Sequence, residues 1–144
     1  MHPTEFVVSL RIKHPTHTHH SIIKSIGMVP KFSYSVGSPR ATPKGRPLEG
    51  VYKHSYCSFT LLEKQEGYFV DGIKKMFVFL EPHKEYFRLL TCEGGKAELF
   101  VGIFADGTVG FGLGVEEMRV LSGLSLELSV EVYNEDSACS PMAG

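Results

Sequence analysis

The sequence has no tryptophan, no long apolar run and almost no net charge, and each lack removes a class of protein. Without Trp, ten Phe and six Tyr must supply the large core volumes. No segment approaches the ~20 apolar residues that a membrane-spanning helix requires, so no membrane partner is expected. A formal charge of −1, with seven His counted neutral, gives no global field to recruit nucleic acid. Three Cys, odd in number and widely spaced, make no disulfide framework. The opening MHPTEFVVSLRIKHP lacks a basic stretch followed by an apolar one, so no secretory signal is read there. A reduced, soluble, cytoplasmic protein is the expectation.

What is present is ordinary globular usage: 144 residues, 42% hydrophobic and 22% charged. That suffices for one compact core. Residues 1–135 are expected to form a single domain, and the polar stretch 136–144 a disordered tail.

Alternation in EFVVSLRIK predicts a strand with Phe6, Val8, Leu10 and Ile12 facing the core and Val7, Ser9, Arg11 and Lys13 facing away. Ile22, Ile23 and Ile26 recur at helical spacing, with Thr16 or Thr18 available as N-cap. Gly27 is placed to end that helix and Pro30 to prevent its continuation. KFSYSV (31–36) reads as a second strand, most simply a parallel neighbour of the first across a helical crossover. A strand over 51–62 has no cleanly apolar face, so its facing stays open. Ile73, Met76, Phe77 and Leu80 predict a helix interrupted by Pro82, which starts another that ends at Gly94 and Gly95. Asp106-Gly107 between apolar runs predicts a hairpin. A short helix over 115–123, acidic in its first turn, and an alternating strand over 126–133 follow.

The fold class implied is α+β, in two layers. A mostly antiparallel sheet of about six strands carries helices on one face. Strand, short helix and strand at each end of the chain, with Gly27 matched by Gly123, suggest pseudo-duplicated β-α-β units.

In order and spacing, VSLRIKHP, IIKSIGMVP, SPRATPKGRPLEGVYKHSYCS, FLEPHKEYFRLLTCEGGKAELFVGIFAD and LSGLSLELSVEVY resemble the bacterial DUF4279 family over roughly Phe6 to Tyr133. The loop with its Arg-x-TP-x-G-x-PL-x-G order and the GG-x-x-ELF-x-G segment are the most specific pieces. The family usually carries Trp at the place of Cys57 and an acidic residue near His17, and this chain departs at both. The resemblance implies a single-domain intracellular protein. It supplies no activity, cofactor or catalytic residue.

Among candidate sites, GSPRATPKGRPLEG (37–50) stands first. Arg40, Lys44 and Arg46 lie among glycines, with Lys53 and His54 just beyond, a composition suited to a carboxylate or phosphate. Its order is not that of a phosphate-cradling loop, and its prolines equally suit a stiff connector. His14, His17, His19 and His20 could take up a divalent ion adventitiously. No Cys pair or HExxH completes a zinc set, and no metal or cofactor is expected. Cys57 and His54 are three apart on a strand, hence on opposite faces, and form no dyad. Glu116 and Glu117 suit a helix dipole better than shared proton chemistry.

No catalytic group is identified, so a small non-enzymatic binding or protein-interaction domain is the leading expectation. Tyr34, Tyr52 and Tyr56 beside the basic loop would form its partner surface. The alternatives are a sensor or enzyme for a small anion held over 37–54, with His54 as acid–base group, and a homodimer formed at a strand edge.

Overall fold

A computed structural model describes residues 4–134, so the tail expected over 136–144 lies outside the described residues. The chain runs β1 (Thr4–His14), α1 (His19–Ile26), β2 (Phe32–Tyr34), β3 (Pro39–Ala41), β4 (Pro47–Val51) and β5 (Ser55–Gly67). Then come α2 (Phe69–Leu80), a 3-10 turn (Glu81–His83), α3 (Lys84–Cys92), β6 (Lys96–Ala105), α4 (Val115–Gly123) and β7 (Leu126–Asn134).

The α+β class with helices on one face of a mostly antiparallel sheet stands, with a different strand count. Five strands in the order β2-β5-β1-β6-β7 form the main sheet, and β3 and β4 form a separate hairpin. All neighbours in the main sheet are antiparallel except β6 and β7. The first two strands do run the same way, but β5 lies between them, so they are not neighbours. The β-α-β order therefore repeats at the two ends, while adjacent parallel pairing occurs only at the second.

Period-2 alternation on β1 works as read. Phe6, Val8, Leu10 and Ile12 are buried and meet Cys57 and Phe59 of β5 and Leu99, Val101 and Ile103 of β6. The helices cover that face with Ile22 and Ile26 of α1, Ile73 and Leu80 of α2, Phe87 and Leu90 of α3 and Leu121 of α4. At 25 cal/mol per Å2, each such side chain contributes roughly 1.5–3 kcal/mol. Gly72 lets α2 lie close on β1, since a Cβ there would sit 2.9 Å from the Phe6 ring.

Helix ends follow local rules. Thr18 caps α1 by accepting the Ser21 N–H, and Gly27 closes it in the left-handed conformation with φ +78°. Gly123 has no such role. The left-handed residue after α4 is Ser125, at φ +56°. Asp106-Gly107 does turn the chain, with Gly107 at φ +76°, but no strand returns, and 108–114 is irregular. The 37–50 stretch is itself a hairpin rather than a plain connector.

Candidate functional site

The sheet face that no described helix covers brings three cations together. Antiparallel register sets Tyr34 of β2, Tyr56 of β5, Lys13 of β1 and Lys96 of β6 in one row, and Phe32, Ser58, Arg11 and Glu98 in the next. Arg11, Lys13, Lys96, Glu98, Tyr34 and Tyr56 enclose a hollow of about 410 Å3.

Its electrostatics are unbalanced. Lys13 and Lys96 are directly opposed across β1 and β6, an arrangement that costs stability when nothing neutralises it. Lys96 has Glu127 at 3.5 Å, whereas Lys13 has no carboxylate partner among the described residues. The Arg11 guanidinium lies flat on Phe100, 3.6 Å from the ring centroid, with Glu98 3.9 Å away. Its Nε is buried without a hydrogen-bond partner. Glu98 is itself occupied, accepting from the Ser129 hydroxyl at 2.6 Å. Arg11 and Lys13 thus line a space where an added acceptor would find donors.

One wall is a tyrosine stack. Tyr34 lies between Tyr52 at 3.7 Å and Tyr56 at 5.5 Å, and its hydroxyl meets His54 Nε2 at 3.2 Å. Burial, then Tyr52 and Tyr56, raise the Tyr34 phenol, with the Arg40 charge opposing. Burial foremost, then Lys13, lower His54, so its neutral form is favoured beside the cations. Tyr52 is pinned by its hydroxyl, which donates to Ala41 O at 2.9 Å and accepts from Ala41 N–H at 3.1 Å. The hairpin is thereby tied to the stack.

The structure joins Tyr34, Tyr52, Tyr56 and His54 into one cluster. Arg40 turns back on the hairpin to donate to Glu49 O at 3.1 Å. Lys44 and Arg46 are exposed at the hairpin turn, and Lys53 is exposed beside β5. None of these four lines the hollow. Arg11, Lys13, Lys96 and Glu98 were not singled out from the sequence. Lys96 is 83 positions from Lys13 (96 minus 13) and only strand register makes them neighbours.

The histidines divide. His14 and His17 stack at 3.8 Å, and with Glu93 their donor atoms lie within 4.8 Å of one another. His14 Nδ1 accepts the backbone N–H groups of Thr16 at 3.0 Å and His17 at 2.9 Å, so the ring proton sits on Nε2, which donates to Glu93 at 3.1 Å. A metal on that Nε2 would require an imidazolate, so the donor set does not fit one. The buried ring instead clamps the end of β1 to the end of α3. His19 meets the Ser33 hydroxyl at 3.2 Å and has burial, then His20, lowering its charge. Cys57 is buried and its thiol is pushed up to about 11 by that burial, which makes it a poor nucleophile at neutral pH.

Among the described residues, seven strands and four α-helices in this order define a small α+β domain with one sheet face left bare. The chain belongs to the family described as Domain of unknown function (DUF4279), which matches residues 4–135. No curated protein and no solved structure matches it. Among the described residues no helix is long and apolar enough to cross a membrane.

Proposed function

We propose that this protein is a non-catalytic binding domain that receives an anionic group, a carboxylate or phosphate, on the bare face of its sheet. The observation that carries the reading is the hollow between Arg11, Lys13 and Lys96, walled by Tyr34 and Tyr56. Of its three cations Lys96 is paired with Glu127, and the one lining carboxylate, Glu98, already accepts from Ser129. Arginine binds such groups through paired hydrogen bonds, and tyrosine adds rigid contact area at small entropic cost. The hairpin cations Arg40, Lys44 and Arg46, with Lys53, strengthen the attraction from the flank. A reducing, cytoplasmic setting suits the free thiols of Cys57 and Cys92.

Pyrophosphate and citrate are suitable probes, and intrinsic tyrosine fluorescence reports on the stack without interference from Trp. Saturable quenching is expected with the native chain, weakened about tenfold or more in the Lys13→Ala, Lys96→Ala double variant. The Arg40→Ala, Arg46→Ala pair should weaken it less. Equal binding by all three chains, or no saturable response in the native one, would end the proposal. Larger loss with the hairpin pair would move the site to the loop.

Self-association is a second reading, favoured by β7, which among the described residues stands at the sheet edge beside β6. Light scattering distinguishes the 16.0 kDa chain from its dimer.

A further inference from the structure

A second hollow, of about 660 Å3, lies at the opposite end of the sheet, where β1 starts and β5 and β6 finish. Its volume is within the range of roughly 300–1,000 Å3 found for small-molecule sites. Tyr68, Phe69, Phe104 and Phe111 form its walls, with Phe69 and Phe111 edge to face at 4.8 Å. Its charged rim is Glu5, Glu66 and Asp106, and no Lys or Arg lines it.

The chain already seats one ammonium against these surfaces. Lys64 Nζ stands 4.0 Å above the Phe104 ring and 3.9 Å from Glu5 Oε1. Aromatic faces attract cations through their quadrupole, more strongly where water is excluded. Glu66 and Asp106, by contrast, have no ion-pair partner among the described residues. The wall from Asp106 to Gly114 is irregular and is held by Tyr68, whose hydroxyl donates to Gly112 O at 3.3 Å and accepts from Gly112 N–H at 3.1 Å. Gly110 and Gly112 have open space around them and neither takes a positive φ. Neither sterics nor conformation demands glycine there, and the freedom it gives lets the wall adjust around an occupant.

We propose that this hollow binds a small organic cation, an amine whose apolar body lies between the aromatic walls and whose ammonium meets the carboxylate rim. The site is independent of the anion hollow and opposite to it in charge.

Phenethylammonium is the probe, and 2-phenylethanol, similar in shape but uncharged, is its control. In two-dimensional amide NMR spectra of the native chain, phenethylammonium should give saturable shifts concentrated in residues 66–69 and 103–112. The alcohol should bind about tenfold more weakly. Glu66→Gln with Asp106→Asn, both at exposed positions, should reduce amine binding by a similar factor and leave the alcohol unaffected. Equal affinity for amine and alcohol would show an apolar hollow without charge selection and overturn the proposal. So would shifts scattered over Glu85 and Glu116, or none that saturate. Should the double variant fail to fold, the amine–alcohol comparison on the native chain still decides.

Discussion

The two faces of the main sheet are closed by different physics. On one, Val8, Leu10, Ile12, Phe59 and Leu99 disappear beneath four helices, and burial of apolar area does the closing. On the other, no helix lies among the described residues. Phe100 is 8% exposed there and stands outside the helix-covered core cluster. Arg11 covers it with a guanidinium face. Lys64 lies over Phe104, Tyr133 stacks on Phe104 at 5.1 Å, and three tyrosines stack on one another. Rings and cations that cover each other leave hydrogen-bond donors spare, as closely packed aliphatic groups do not. A face closed in this way is the one on which the proposed ligand would sit.

The widest gap between the faces should appear on β5, where Phe59 points into the core and Tyr56 points out. Phe59 is fully buried, so Phe59→Ala should cost about 3–5 kcal/mol in urea unfolding. Tyr56→Ala should cost about 1 kcal/mol or less while lowering pyrophosphate affinity. If both substitutions cost the same, the bare face is a second core and the contrast fails.

Alkaline pH tests the covered face next. Burial pushes the Cys57 thiol up to about 11 and the Tyr86 phenol up to about 12. Both are acids kept neutral by the fold, so their contribution is complete below their unfolded values. For Cys57 it is lost as pH climbs from about 9 towards about 11. Unfolding free energy should fall there by up to about 1.4 kcal/mol per pH unit for each proton released. Tyr34 on the bare face is raised too, with burial as the first cause, so the native slope is a sum. Cys57→Ala isolates the thiol and should flatten the curve between pH 9 and 10.5. An unchanged slope would show that this thiol is not held neutral.

The contrast also explains what could be read from the sequence. β1 was legible because one face is buried and the other is not, which writes period 2 directly into Phe6 to Lys13. α1 was legible because Thr18 and Gly27 are local signals. β5 was ambiguous because its core-facing set includes Ser55, a buried tether that donates to His17 O at 2.5 Å and accepts from Val36 N–H at 2.9 Å. Strand order was illegible, since nothing local to β1 or β2 encodes the insertion of β5 between them. Asp106-Gly107 signalled a turn correctly, but the following glycine-rich segment lines a hollow instead of pairing. The tyrosines of the hollow on the bare face were visible and its cations were not. Arg11 and Lys13 look like any solvent-facing alternation until β6 brings Lys96 and Glu98 alongside.

The smallest expected effect is the sharpest test of the bare face. Lys13 and Lys96 are directly opposed, and like charges so placed cost roughly 0.2–1 kcal/mol. Glu127 relieves Lys96 at 3.5 Å, which leaves Lys13 as the uncompensated charge. Lys13→Gln should therefore raise stability by a few tenths of a kcal/mol at low ionic strength, while Lys13→Arg leaves it unchanged. The gain should vanish near 1 M salt, where the Debye length falls to about 3 Å. Pyrophosphate should reverse the order, stabilising the native and Lys13→Arg chains more than Lys13→Gln. That reversal would mark Lys13 as a residue that weakens the empty domain and strengthens the occupied one. If Lys13→Gln destabilises at low salt, the opposed lysines are not in conflict, and the case for an anion between them loses its energetic basis.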